Sequence, residues 1–319
     1  MASSDEVIPG DQPNPMLGIG LKIASVGIFL VMSSLLKAAD DVPPGQLVFF
    51  RSLFAILPII VFLVYRRELM AGLKTARPMG HLWRGLIGVC GMGCGFYALT
   101  RLPLPEAVAI NYAMPLLIVV FSAIFLGEVV RLYRWSAVLI GLIGVAIIIW
   151  PRLSIFSGGI TDASGATAGA IAALGGALFG AIAMLLVRNL VHTERSATIV
   201  LYFSVTCTAI SLATIPFGWV WPTPQQAALL IGAGIAGGIA QVLLTECYRY
   251  ADMSVIAPFE YTSMLLSIGI GYLFFGEVPT IQMLVGGVIV VAAGIFIILR
   301  EHQLGLERGR ARRVTTPQG

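Results

Sequence analysis

The chain has 319 residues, of which 58% are hydrophobic and 11% charged, with a mean hydropathy of +0.92. Soluble domains carry about twice that share of charge, so a soluble enzyme or binding module is excluded at the outset. The net charge of +4 comes from arginines scattered between apolar runs, which excludes a nucleic-acid partner and points to the lipid bilayer.

The first sixteen residues, MASSDEVIPGDQPNPM, hold three acids, three prolines and no Lys or Arg. They lack the basic n-region of a secretory signal and read as a disordered cytoplasmic tail. Apolar runs follow at about 17–38, 46–65, 79–100, 106–126, 135–151, 166–188, 196–217, 226–247, 254–275 and 281–299. Most are close to the ~20 residues a helix needs to cross a bilayer, so ten membrane helices are expected. Pro43-Pro44-Gly45, Pro103, Pro105, Pro151, Pro222, Pro224 and Pro279 mark the joints. Windows of alternating polarity are absent, which excludes a membrane β-barrel.

With the N-terminus inside, fourteen Lys and Arg fall in cytoplasmic segments, among them Arg66, Arg67, Lys74, Arg77, Arg131, Arg134 and the arginines of the tail from 301. The outer segments hold only Lys37, Arg101 and Arg152. The positive-inside rule then puts both termini in the cytoplasm, which agrees with an even helix count.

Shifting Tyr248–Pro279 back by 149 positions lays it on Leu99–Val130 without a gap. Tyr261 then meets Tyr112, Gly276-Glu277-Val278 meets Gly127-Glu128-Val129, and Glu260 falls opposite Asn111. Five helices per half reverse the orientation of the second copy. The expected architecture is therefore all-α and integral to the membrane: ten transmembrane helices as two inverted five-helix repeats, 17–151 and 166–300. A periplasmic linker at 152–165 joins them, and a basic cytoplasmic tail follows at 301–319. Inverted repeats are a recurring build of secondary transporters. The pairs Gly91/Gly95, Gly176/Gly180 and Gly234/Gly238 are spaced GxxxG, which lets helices approach closely.

These motifs together resemble the EamA-type ten-helix members of the drug/metabolite transporter superfamily. Phe50-Arg51-Ser52 is similar to the family's second-helix pattern, Leu126-Gly127-Glu128 and Phe275-Gly276-Glu277 to its Gly-Glu helix endings, and Ala257-Pro258-Phe259-Glu260-Tyr261 to its ninth-helix opening. The resemblance spans about residues 17–300. It implies an alternating-access carrier in the bacterial inner membrane, moving a small organic metabolite such as an amino acid, nucleoside, vitamin or derivative. The Glu260-Tyr261 pair is similar to that of members carrying riboflavin or S-adenosylmethionine, and neither is adopted as the substrate.

Charges inside a membrane helix are costly and mark function. Arg51 is the candidate anion-binding residue, or a partner for Glu260. Glu260 is the candidate for proton coupling, since a buried carboxylate exchanges protons nearer neutral pH. Tyr97, Asn111, Tyr112, Gln241 and Tyr261 add polar or stacking groups for substrate. Pro115 and Pro258 are candidate hinges, because proline removes a backbone hydrogen bond. Lys22 and Lys37 are expected to snorkel to the headgroups, Glu106 and Glu246 to lie at the interface, and Glu128 and Glu277 to close their helices as solvated ends or ion pairs.

Cys90, Cys94, Cys207 and Cys247 show no metal or disulfide spacing, and His81, His192 and His302 form no cluster. No cofactor or metal is expected. Gly91-Met92-Gly93-Cys94-Gly95 lies mid-helix, not after a strand, so it is no phosphate cradle. The rival readings are an intramembrane lipid-modifying enzyme, which would need a catalytic pair that the chain lacks, and a non-transporting scaffold or receptor, which leaves the duplication unexplained. A monomer or homodimer is expected.

Overall fold

A computed structural model describes residues 14–126, 132–152, 165–190, 193–250 and 257–314. The Gly127-Glu128-Val129 motif, His192, most of the linker and the first thirteen residues lie outside these. Every regular element described is helical, as hydrocarbon requires of a chain that must satisfy its own backbone groups. The elements are α1 (Pro15–Ala38), α2 (Pro44–Tyr65), the short α3 (Leu69–Gly72), α4 (Pro78–Arg101), α5 (Leu104–Asn111), α6 (Ala113–Leu126), α7 (Leu132–Ile149), α8 (Ala166–Leu190), α9 (Ser196–Leu212), α10 (Pro224–Tyr250), α11 (Thr262–Phe275) and α12 (Ile281–Val314).

Proline opens α1, α2, α4 and α10 and sits second in α5. Its fixed φ suits the first helical turn, where its missing N–H would be unpaired anyway. Asn14 adds a side-chain cap, accepting from the Leu17 N–H at 3.2 Å. Eight helices are long and apolar enough to cross a membrane among the described residues, and two shorter apolar ones span Ala197–Leu212 and Phe259–Phe275. The last helix continues past its apolar run into the basic segment, as far as Val314. Large apolar side chains such as Leu57, Val61, Leu139, Ile143, Leu273, Phe274 and Val288 face outward, the arrangement of a surface solvated by lipid. This is an all-α multi-pass membrane protein.

Its packing is symmetric. α1 lies along α10, and α4 lies along α8; α2 packs on α9, and α7 on α12. Further contacts join α2 to α10 and α4 to α9. Two seams run backbone to backbone. At the first, a side chain on Gly176 of α8 would meet the Gly95 nitrogen of α4 at 3.2 Å and the Gly91 oxygen at 3.3 Å. At the second, Gly144 of α7 faces the Gly286 carbonyl of α12. Small residues are what permit such approach. Gly176→Val should wedge the α4–α8 seam apart at a cost of about 1–3 kcal/mol. The expected result is a lower melting temperature in detergent, and an unchanged value would contradict the seam.

Candidate functional site

Two lysines on α1 set the electrostatic frame. Lys22 is 3% exposed at its side chain, and its Nζ donates to Glu260 Oε2 at 3.0 Å. Lys37 pairs with Glu277 Oε1 at 2.9 Å and also donates to the carbonyls of Leu99 and Leu102. The snorkelling expected of both lysines is therefore corrected: each reaches a carboxylate within the protein, because α1 packs on α11 and on the turn that precedes it. Glu106, expected at the interface, is buried in the first turn of α5.

Glu277 owes its position to the glycine before it. Gly276 adopts the left-handed conformation, φ +63°, and the Glu277 N–H turns back to the Gly271 carbonyl at 2.9 Å. Glycine is the residue that enters this region without strain. The Gly-Glu ending thus aims the carboxylate across the bundle, where Oε2 accepts from the Leu104 N–H at 2.8 Å and caps α5.

Two helix interruptions meet at the centre. α5 stops at Asn111 and α6 begins at Ala113, with Tyr112 between them at φ −66°, ψ −6°. Pro115 causes the break, since it has no N–H for the Asn111 carbonyl four residues earlier. The matching segment runs as a 3₁₀ turn over Ala257–Tyr261 and becomes α-helical at Thr262, with Tyr261 at φ −70°, ψ −9°. Pro258 lies in that turn. The Tyr112 and Tyr261 rings meet edge to face at 5.1 Å between centroids. The Tyr112 hydroxyl is hydrogen-bonded to Ser263 Oγ, which in turn donates to the Glu260 carbonyl at 2.7 Å. The Tyr261 hydroxyl lies over Gly294 of α12 so closely that a side chain there would collide with it.

Arg51 is 6% exposed, and its Nε has no hydrogen-bond partner. It makes no pair with Glu260, whose partner is Lys22. Arg84 on α4 is a second interior arginine; its guanidinium stacks 3.9 Å from the Phe203 ring centroid. Tyr97 lines a cavity of about 320 Å³ between α2, α4, α8 and α9, together with Gly45, Val48, Val89, Cys94, Ala172 and Thr214. That volume lies at the lower end of small-molecule sites. Gln241 is half-buried on α10, one turn beyond Gly237, and Asn111 is exposed at the end of α5. The seven predicted residues are thus distributed: Tyr112, Glu260 and Tyr261 gather, Tyr97 lines the cavity, Arg51 lies on α2 one turn from Val48 of its wall, Gln241 lies on α10, and Asn111 stands apart. Lys22 and Arg84 were missed as site residues. The signal for both was the one used for Arg51, a charge about six or seven residues inside an apolar helix.

At the end of the bundle opposite Lys37 and Glu277, the loop after α8 clamps the start of α4. Glu194 Oε1 accepts from Thr75 Oγ1 at 2.7 Å and from the Ala76 and Arg77 N–H groups at 2.8 and 3.0 Å, with His81 Nε2 at 3.8 Å. Burial alone would raise the pKa of this carboxyl, but the donated hydrogen bonds and His81 outweigh it and hold it below the ordinary glutamate range. A depressed folded pKa contributes stability that is complete above the unfolded value and lost as pH falls through the folded one. Thermal stability should therefore fall on acidification below about pH 4, and Glu194→Gln should remove that part of the fall. An identical acid profile in the variant would refute the clamp.

A multi-pass helical protein with ion pairs between its helices, two broken helices in contact and a cavity between four others has the build of a membrane carrier. The chain belongs to the EamA-like transporter family, which it matches over residues 11–150 and again over 167–300. It is 30% identical to the pseudopaline exporter CntI of Pseudomonas aeruginosa (strain UCBPP-PA14), over 87% of this chain and 94% of the exporter. It is 28% identical to the S-adenosylmethionine uptake transporter of Rickettsia bellii, over 89% of this chain and 97% of that protein. A riboflavin transporter of Rhizobium johnstonii is 30% identical, over 81% and 82%. A solved crystal structure with 21% identity shares the fold at a TM-score of 0.63, covering 90% of this chain and 98% of its own. The protein is a secondary transporter of small organic metabolites, a multi-pass protein of the bacterial inner membrane.

Proposed function

We propose that the chain works by alternating access as two inverted five-helix repeats, 17–151 and 166–300, with both termini in the cytoplasm. The observation that carries this reading is the contact between the two helix breaks. Tyr112 and Tyr261, matched by the 149-residue offset, touch in the buried core. Transporter sites are built where discontinuous helices of two repeats meet near the membrane midplane. The two separate family matches support the duplication.

Cargo enters the cavity lined by Tyr97 and moves past Arg51, Gln241 and the tyrosine junction. Pro115 and the turn holding Pro258 act as hinges. Glu260, half-exposed beside a buried lysine, is the candidate for proton coupling, and loss of its pair with Lys22 frees α1 from the turn. The cargo is an amino acid, nucleoside, vitamin or derivative, the size of solute that the relatives' names describe.

Uptake by proteoliposomes holding only this protein tests the reading. A screen of amino acids, nucleosides, flavins and methylated metabolites should yield at least one solute accumulated above protein-free vesicles and driven by an imposed pH gradient. Accumulation that follows no gradient, or none at all, would count against it.

A further inference from the structure

Two interior arginines have no carboxylate partner among the described residues. Glu260 is paired with Lys22 and Glu277 with Lys37. Glu194 is held by its loop, and Glu68 lies 3.6 Å from Arg195. Arg51 is almost wholly buried with its Nε unpartnered, and Arg84 leaves both Nε and Nη1 without a partner. Arg84 lies on Phe203 of α9, Gly85 beside it on α4 faces Thr206, and α2 packs along the same helix, where Gly45 faces Thr214. They therefore converge on one region from α2 and α4.

The surroundings keep both guanidiniums free. Phe203 covers one face of Arg84, an arrangement that stabilises the cation and leaves its N–H edges available in plane. Gly88, one turn along α4, clears room for Arg84 Nη1, and Gly237 of α10 does so for Arg51 Nε, which a side chain there would approach to 3.3 Å. Val48, on the cavity wall, stands one turn from Arg51 on the same face of α2. Two unneutralised cations at this depth are costly, and a single carboxylate would offset only one of them.

We propose that Arg51 and Arg84 form a two-point site for a dicarboxylate cargo, each guanidinium taking one carboxylate. This deepens the carrier reading and rests on it. The purified full-length protein in detergent, followed by thermal unfolding, provides the test. Succinate, glutarate and L-glutamate should raise the melting temperature, whereas butyrate and L-glutamine should not.

Arg51→Gln and Arg84→Gln should each weaken the diacid response by about tenfold or more. Without ligand they should raise the melting temperature by about 2–4 °C, because an unpaired buried charge is removed. A merely structural arginine would lower it. If a Gln variant fails to fold, the Lys replacement keeps the charge, loses the planar fork and should show the same weakened response. Monoacids stabilising as well as diacids, no response to any diacid, or diacid shifts that survive both Arg replacements would overturn the site. Vesicle uptake separates the two readings. Transport of a neutral solute with no diacid response sinks the site and leaves the carrier. Diacid binding without any vesicle transport upholds the site and sinks the carrier.

Discussion

Glu260→Gln is expected to abolish the response of uptake to a pH gradient and to lower the melting temperature. Its partner, Lys22, is 3% exposed, whereas Glu260 is 51% exposed. The substitution therefore strands an ammonium that has little water to fall back on. Breaking a buried pair from one side costs about 3–5 kcal/mol, and the open side of Glu260 moves the expected loss toward the lower figure, roughly 3 kcal/mol. Lys22→Met combined with Glu260→Gln removes both charges and should recover most of the stability. It should not recover coupling, because the carboxyl proposed to carry it is gone. Comparing the two single variants with the double isolates the pair. Retention of proton-driven uptake in the Gln variant would end the coupling role, and additive stability losses would mean that the ion pair contributes little.

Gly294→Ala should be nearly as damaging, through shape alone. The Tyr261 hydroxyl fills the space that an alanine methyl would need, so Tyr261 must leave its place against α12. That movement breaks its edge-to-face contact with Tyr112 and unseats the junction of the two broken helices. Overpacking of this kind costs about 1–3 kcal/mol, yet uptake should fall by at least tenfold because the central contact carries the mechanism. Tyr261→Phe in the same background removes the colliding oxygen and should restore uptake in part. Full activity of Gly294→Ala alone would show that the tyrosine contact is dispensable.

Helix positions were legible because bilayer thickness sets a length and proline marks the joints. The tyrosine contact was foreshadowed by the 149-residue offset that matched its two members. Partner choice was not legible. Arg51 and Glu260 looked like a pair because both were deep charges, but pairing depends on which helices are neighbours. α1 lies on the turn holding Glu260, so Lys22 takes it. The same ignorance of adjacency hid Arg84, whose significance comes from Phe203 on another helix. Glu277 shows the opposite case: its Gly-Glu ending was visible as a motif, and the left-handed glycine supplies the physical reason for it.

Lys22 and Lys37 stand fifteen residues apart on α1, about 22 Å along a helix, and they hold the two ends of one segment, 260–277. α1 and that segment are thus riveted at both ends by charge. Shifting α1 by the same 149 positions places Ile171 and Leu186 of α8 where the lysines stand. The same shift turns the contact of α1 with 260–277 into one of α8 with α6, where Met114 reaches Gly180 and no charge pair is formed among the described residues. One contact is fastened by charge, and its counterpart is fastened by shape alone.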